Sequence, residues 1–275
     1  MSERTGILAD MGKRQLVANL LIVAAVVGWW LTSQTLPTRI FPPLTAVLQT
    51  LGGFAASLDF WANAGITFAR IVAAIVAATL VGGIIGIMPR YLPSTGSIVD
   101  NILVPFFSSF PGLAWAILGT VWFGVTTQAV ILVTFLIILP FALVNVAEGA
   151  KSIGPEEVEM GRSFSRSHWA IFWRIELPLL SPFILSAVTI SYGVCWKISL
   201  IAELFGARSG IGYMMQHAQD LGQTDHIMAL CVAIVLFVIT GQKLILHPLS
   251  RLLLKREGRA GRPARTPRST SAGGA

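Results

Sequence analysis

Residues 101–147 contain no charged side chain, and this feature strongly limits what the chain can fold into. The run is long enough for two bilayer crossings of about 20 residues each. A turn between Gly124 and Gln128 divides it. The composition agrees, because 54% of the residues are hydrophobic and only 12% are charged, which is too apolar for a soluble domain of this length. We therefore expect an all-α membrane protein.

The apolar pattern predicts six transmembrane helices. Their expected ranges are residues 16–33, 68–89, 102–123, 128–147, 179–202 and 226–247. An even number of spans places both termini on one side, and most of the twenty Lys and Arg residues fall there. The positive-inside rule makes that side cytoplasmic. The net charge of +7 then reflects topology and a basic tail, and does not indicate nucleic acid binding.

The chain divides into three parts along its length. We expect a cytoplasmic N-terminal arm over residues 1–15, a transmembrane domain over 16–254 and a disordered basic cytoplasmic tail over 255–275, which lacks the apolar residues needed to pack. The first apolar segment is expected to be a retained span rather than a cleaved signal peptide, because no small-x-small cleavage site follows it.

Two segments on the outer side have patterns of their own. Residues 34–65 contain apolar side chains at i, i+1, i+4 and i+7 spacing from Val47, which predicts an amphipathic helix. Residues 204–225 are predicted to be a glycine-punctuated loop followed by a short helix. Three glycines within the second span are expected to be helix-packing positions, since small residues let helices approach closely; they are Gly82, Gly83 and Gly86.

Residues 148–178 form a polar segment between two apolar spans on the cytoplasmic side. A helix is predicted to start at Pro155, because proline fits the first helical position. Glu156 and Glu157 follow it and favour the positive end of the helix dipole. Gly161 leaves room for another backbone to approach this helix closely. The segment is therefore expected to contact a partner, although composition alone favours an ordinary cytosolic loop.

The second half of this segment is aromatic. Trp169, Phe172 and Trp173 have i, i+3, i+4 spacing, which predicts an amphipathic stretch lying in the membrane interface. We therefore expect the aromatic face of this half to point into the membrane.

Charged residues inside spans are costly and usually face a cavity or a partner. Lys197 and Glu203 are six residues apart, so they lie on poorly aligned faces of one helix and are expected to have separate partners. Glu203 is expected either beside a translocation route or in a structural hydrogen-bond network. Arg70 is expected to snorkel to the outer interface or to pair with a neighbour.

The order of residues in the polar segment resembles the signature loop of ATP-binding-cassette importer permeases. That loop reads Glu-Ala-Ala, three residues, Gly, and about nine residues later Ile-x-Leu-Pro. The corresponding residues here are Glu159-Met160-Gly161, Ser165 and Ile175-Glu176-Leu177-Pro178. Met160-Gly161 replaces the pair of alanines and Ser165 replaces the glycine.

Further short matches in the same order resemble the nitrate/sulfonate/taurine type of these permeases. They are Phe41-Pro42-Pro43, Thr67-Phe68-Ala69-Arg70, Trp122-Phe123-Gly124, Ala202-Glu203 and Gly210-Ile211-Gly212-Tyr213. Phe110-Pro111-Gly112 departs from the family by lacking its second proline. The resemblance implies a type I importer permease with a cytoplasmic coupling-helix loop in a bacterial inner membrane.

The resemblance also implies partners. These are ATP-binding-cassette ATPase subunits, a second permease copy, an extracytoplasmic solute-binding protein and membrane lipid. The chain contains no Gly-x4-Gly-Lys-Ser/Thr phosphate loop, so we expect it not to be an enzyme and to hold no cofactor, with ATP-Mg bound by the ATPase. The cargo is expected to be a small polar solute, with anions such as nitrate, a sulfonate or a carboxylate as candidates.

Two sets of site residues follow. The ATPase-docking loop is expected at Pro155, Glu156, Glu157, Glu159, Met160, Gly161, Ser165, Leu177 and Pro178. The translocation pathway is expected at Phe110, Pro111, Gly112, Trp196, Ser199 and Glu203. No catalytic or metal-ligating set is expected, because no Ser/His/Asp or His-Glu-x-x-His arrangement and no Cys/His ligand spacing occur.

An ion-coupled secondary transporter is the alternative function. Arg70, Lys197 and Glu203 would then form the ion-coupling set. Such transporters usually contain a repeated half, and this sequence shows none.

Overall fold

The computed structural model describes residues 17, 19–21, 23–24, 26–164 and 167–246. Every regular element in these ranges is a helix, which confirms the predicted all-α fold. The predicted N-terminal arm, the basic tail and Ser165 lie outside the described residues. The helices are α1 (Asn19–Thr35), α2 (Leu44–Ala56), α3 (Leu58–Tyr91), α4 (Pro93–Ser109), α5 (Gly112–Phe123), α6 (Thr127–Ser152), α7 (Pro155–Phe164), α8 (Trp169–Gly206), α9 (Ile211–Asp220) and α10 (Thr224–Leu244).

Four helices of the described part are long and apolar enough to cross a membrane, namely α3, α6, α8 and α10. Each of them contains or largely overlaps one predicted span, and α1 overlaps the first. The stretch predicted as a single span over residues 102–123 is instead a bent pair of helices, α4 and α5. Helix α5 begins after Pro111, whose backbone is extended with ψ of 130°. Proline lacks the N–H that would continue the ladder of α4, so the helix breaks here.

The chain forms two compact units. The first, here called the Glu203 unit, comprises residues 1–74, 110–137 and 195–237. The second, here called the loop unit, comprises residues 75–109, 138–194 and 238–275. The four long helices contribute residues to both units.

Aromatic rings form much of the core of the Glu203 unit. The rings of Phe54 and Phe60 stack with their centroids 5.4 Å apart, and those of Trp196 and Phe237 stack at 5.9 Å. Helix α2 is the predicted amphipathic helix, because it buries Val47 and leaves Leu48 exposed. Helix α9 is the predicted short helix after the glycine-rich loop.

Close contact between α3 and α6 organises the loop unit. A Cβ atom built on Gly86 would lie 2.8 Å from the carbonyl oxygen of Leu143, and one on Gly82 would lie 2.9 Å from the Cβ of Ala142. Gly83, in contrast, has nothing within 4 Å of that position. The expectation of helix packing therefore holds for Gly82 and Gly86, whereas Gly83 faces open space.

These glycines provide a matched test of the packing. We expect Gly86→Ala to lower the free energy of unfolding by about 1–3 kcal/mol, because the added methyl would collide with backbone atoms of α6. Gly83→Ala should be neutral or stabilise the protein by up to about 1 kcal/mol, since alanine is the better helix former. Thermal unfolding of both variants in detergent would measure the difference. Equal midpoints would show that α3 and α6 do not pack as described.

Candidate functional site

The polar segment contains a short helix whose first position is Pro155, as predicted. Glu156 and Glu157 lie in the first turn of α7 and Arg162 lies in its last turn. Acidic groups at the amino end and a basic group at the carboxyl end both complement the helix dipole. Helix α7 therefore has local support from its own charges.

Gly161 lies on the buried face of α7. A Cβ atom there would lie 2.7 Å from Ile175 Cδ1 and 3.3 Å from Ile171 Cγ2, both in α8. Its expected contact with a partner stays a prediction, and in the structure Gly161 packs against residues of the same segment. The opposite face of α7 exposes Glu156, Glu159 and Met160, and 56% of Met160 is accessible.

Aromatic side chains dominate the beginning of α8. Trp169 is 71% exposed and Trp173 is 51% exposed, and their ring centroids lie 5.6 Å apart in an edge-to-face arrangement. Large exposed tryptophans beside an apolar span are typical of the membrane–water interface. Leu177 is half-buried and Pro178 is exposed at the point where the long apolar part of α8 begins.

One guanidinium holds the two ends of the polar segment together. Arg90, near the end of α3, donates through Nη1 to the carbonyl oxygens of Ala150 and Ile153, at 2.8 and 3.1 Å. Its Nε donates to Glu176 Oε1 at 3.2 Å, and the hydroxyl of Tyr91 donates to the other carboxylate oxygen. Ala150 and Ile153 precede α7 and Glu176 follows it. We call this set of contacts the Arg90 clamp.

The second polar cluster surrounds Glu203, whose side chain is fully buried. Arg70 Nη1 donates to Glu203 Oε1 at 2.8 Å, and the backbone N–H of Gly212 donates to Oε2 at 2.9 Å. The hydroxyl of Thr67 lies 2.9 Å from both carboxylate oxygens, and it accepts the N–H of Ile211 at 2.9 Å. Of the two roles expected for Glu203, this geometry supports the structural hydrogen-bond network.

Like the carboxylate of Glu203, the guanidinium of Arg70 is buried and forms several hydrogen bonds. Only 3% of it is exposed, so it does not snorkel to an interface; the alternative expectation, pairing with a neighbour, is confirmed. Beyond Glu203, Nη1 donates to the carbonyl oxygen of Ser209 at 2.7 Å. Nη2 donates to Ser209 Oγ at 3.0 Å and to Thr127 Oγ1 at 2.9 Å. The ion pair thus joins α3, α6, α8 and the loop before α9.

Two glycines make room for this carboxylate. Gly210 has φ of +108°, and a Cβ atom on it would lie 2.5 Å from both oxygens of Glu203. A Cβ on Gly212 would lie 2.6 Å from Glu203 Cβ and from the carbonyl oxygen of Leu200. Only residues without a side chain can bring these backbone groups so close to Glu203. The Gly210-x-Gly212 pattern is therefore part of the carboxylate site, which its sequence alone did not reveal.

The residues expected to line a pathway separate into two groups. Pro111 and Gly112 are exposed and Phe110 is half-buried. Trp196, Ser199 and Glu203 are almost completely buried within their own chain. The expectation that these three α8 residues line a pathway stays a prediction, and within the single chain their side chains are buried. They occupy i, i+3 and i+7 positions, so they share the face of α8 that points into the core.

Lys197 lies on a different face of the same helix. Its side chain is exposed, and it forms no ion pair with any residue in the described part of the chain. Lys197 and Glu203 therefore form no direct pair, as expected, but an ion-pair partner is found only for Glu203 among the described residues.

An open cavity of about 560 Å³ lies beside the Glu203 cluster, within the same unit. Polar and aromatic side chains line much of it, including Asp59, Asn63, Arg208, Tyr213 and His217. The rings of Tyr213 and His217 are stacked with centroids 6.3 Å apart. These residues give the cavity both hydrogen-bonding groups and flat apolar surfaces.

The buried ion pair leads to a test of stability. Glu203→Leu should lower the free energy of unfolding by about 3–5 kcal/mol, because it leaves the Arg70 charge buried without its partner. The double variant Arg70→Met, Glu203→Leu should recover part of that loss. Thermal unfolding in detergent measures both. Lys151→Ala is the control, because the Lys151–Asp100 pair is exposed and should contribute less than about 1 kcal/mol. A Glu203→Leu protein as stable as the wild type would contradict the assignment.

Comparison with known proteins gives consistent matches. The taurine transport system permease protein TauC of Escherichia coli K12 is 29% identical over 232 residues, which cover 81% of this chain and 83% of TauC. The aliphatic sulfonates transport permease protein SsuC of the same organism is 30% identical over 241 residues, covering 85% of this chain and 84% of SsuC. SsuC of Bacillus subtilis 168 is 26% identical over 247 residues, 86% of each chain.

The fold agrees with a solved structure. A chain from an inward-facing form of the MetNI methionine ABC transporter has a TM-score of 0.60 at 19% identity, covering 71% of this chain and 96% of that chain. None of these matches supports the alternative of an ion-coupled secondary transporter. The family model for the binding-protein-dependent transport system inner membrane component matches residues 78–246. The chain therefore belongs to that family and is the permease of an ATP-binding-cassette importer.

Proposed function

We propose that this permease docks ATPase subunits through the exposed face of α7 and imports a small polar, anionic solute. The observation that carries the docking assignment is the outward face formed by Glu156, Glu159 and Met160 on a helix that is firmly attached to its own chain. ATP-Mg is bound and hydrolysed by the partner, and the permease itself provides no catalytic group.

The attachment of α7 explains how docking would act on the membrane part. Gly161 lets α7 lie directly against Ile171 and Ile175 of α8, and α8 continues without interruption to Gly206. A force applied to α7 therefore acts on a transmembrane helix through packed side chains. The Arg90 clamp prevents the two ends of the segment from separating under that force.

The docking face can be tested at one position. Met160→Asp should reduce ATP-dependent uptake at least about tenfold, because a desolvated charge at a protein contact costs well above 1.4 kcal/mol. Met160→Leu should retain uptake, since it preserves the size and apolar character of the side chain. Uptake into proteoliposomes and co-purification of the ATPase would be measured together. Full uptake and full co-purification by Met160→Asp would place the docking surface elsewhere.

We further propose that two permease chains assemble with two ATPase subunits, with the translocation pathway between the permeases. Each chain has a single α7 face, so two ATPases require two copies of that face. Exposed apolar side chains on α5 provide one candidate surface for the second copy, with Leu113 and Ile117 each 51% exposed.

Mass measurement of the purified complex tests this stoichiometry. Native mass spectrometry or light scattering should give a mass equal to two permeases and two ATPases. One permease with two ATPases would contradict the proposal. A second, different permease chain in the complex would show that the pair is a heterodimer.

The cargo and its delivery follow from the relatives. TauC and SsuC carry taurine and aliphatic sulfonates in their names, and we propose a sulfonate or a similar small anion for this chain. The open cavity beside Glu203 would then lie on the outer side, where its polar and aromatic lining suits contact with a solute-binding protein. This arrangement places both termini and α7 in the cytoplasm of a bacterial cell with this chain in its inner membrane.

A further inference from the structure

Lys197 is the residue that the proposed function does not yet explain. It lies nine positions before Gly206, about two and a half helical turns from the end of α8. In the other direction about thirty ångströms of helix separate it from Leu177. A lysine stem can carry its ammonium group only partly along such a distance. Lys197 therefore lies within the span predicted over residues 179–202, toward its carboxyl end.

The other interior charges of the long helices are satisfied inside the chain. Arg70 and Glu203 bind each other at 2.8 Å and are almost completely buried. Lys197, in contrast, is exposed on the surface of its own chain and has no ion pair with a described residue. A lysine facing lipid within a span is costly, about 2.5–3.5 kcal/mol at the helix centre and less toward the ends. The exposed position is therefore explained best if this face of α8 meets water.

The neighbours of Lys197 on that face are apolar. Ile190 and Ile201, at i−7 and i+4, are 41% and 45% exposed, and Phe205 at i+8 is 48% exposed. A single ammonium group among apolar side chains is poorly screened, so its field reaches further than it would at a polar surface. Rings of fixed positive charge are the usual means by which pores favour anions and exclude cations.

We propose that Lys197 lines the water-filled translocation pathway and makes that pathway selective for anionic solutes. The proposal rests on the proposed function and specifies its substrate class. The pathway surface of α8 is then its exposed face, which contains Lys197 and Ile201. The buried face, which contains Ser199 and Glu203, is not part of it. With two copies of the chain, two ammonium groups would face the same pathway.

Thiol chemistry tests this without knowledge of the cargo. The background carries Cys195→Ala and Cys231→Ala, because these are the free cysteines of the described chain. Ile201→Cys is then labelled, in the complex with its ATPase in proteoliposomes, by anionic methanethiosulfonate ethylsulfonate and by its cationic trimethylammonium counterpart. Ser199→Cys is the matched control, since Ser199 is buried two residues away and should react with neither reagent.

The expected result is a charge preference that depends on Lys197. Ile201→Cys should react with both reagents. The ratio of the anionic to the cationic labelling rate should fall about fivefold when Lys197→Gln is added, because this removes one unit charge about one helical turn away. Lys197→Arg should retain the ratio. Raising the salt concentration should reduce the preference in the wild-type background.

Two results would overturn the proposal. If Ile201→Cys and Lys197→Cys both resist these charged reagents, the face does not meet water. If they react but the rate ratio is the same in Lys197→Gln, the lysine does not select for charge. ATP-dependent uptake of ethanesulfonate by the wild-type complex is measured in parallel. Its absence would count against the proposed importer of sulfonates, whereas the labelling ratio reports on Lys197 alone.

Discussion

The contact between Arg70 and Glu203 is the interaction on which much of the Glu203 unit depends. A bilayer offers no hydrogen bonds to a buried charge, so every donor and acceptor must come from the protein. The guanidinium donates one hydrogen bond to the carboxylate and three to Thr127 and Ser209, while Thr67 and the backbone of Gly212 hold the carboxylate. The Nε of Arg70 is buried without a hydrogen-bond partner. Because these groups come from α3, α6, α8 and the start of α9, the ion pair determines how closely those elements approach.

The loop unit uses an arginine in a different way. Arg90 donates to two backbone carbonyls at the end of α6 and to a carboxylate at the start of α8. Free carbonyls at a helix end need partners, so this one side chain both caps α6 and fixes the return of the chain. The polar segment between these points can therefore present α7 to a partner without being a loose loop. Rigidity at this point is what the proposed mechanical connection to an ATPase requires.

The sequence predicted the helical fold, the start of α7 at Pro155 and the amphipathic helix α2, because local patterns determine all three. It could not predict the pairing of Arg70 with Glu203, since these residues are 133 positions apart and either could have faced a cavity. It also assigned to the pathway a face of α8 that is buried within the chain. Trp196, Ser199 and Glu203 share one face by periodicity, but a helix that is apolar on most sides does not reveal which face is inward. The role of Gly161 was missed because its neighbours, Ile171 and Ile175, belong to the next helix.

The separation of Arg70 from Glu203 along the chain has a consequence for biosynthesis. A ribosome adds roughly 5–20 residues per second, so Glu203 is made on the order of ten seconds after Arg70. During that interval α3 has reached the membrane with its arginine and without its carboxylate. Water, lipid phosphate or the insertion machinery must hold the guanidinium until α8 arrives. The ion pair can therefore form only late in synthesis, after α8 has joined α3 in the membrane.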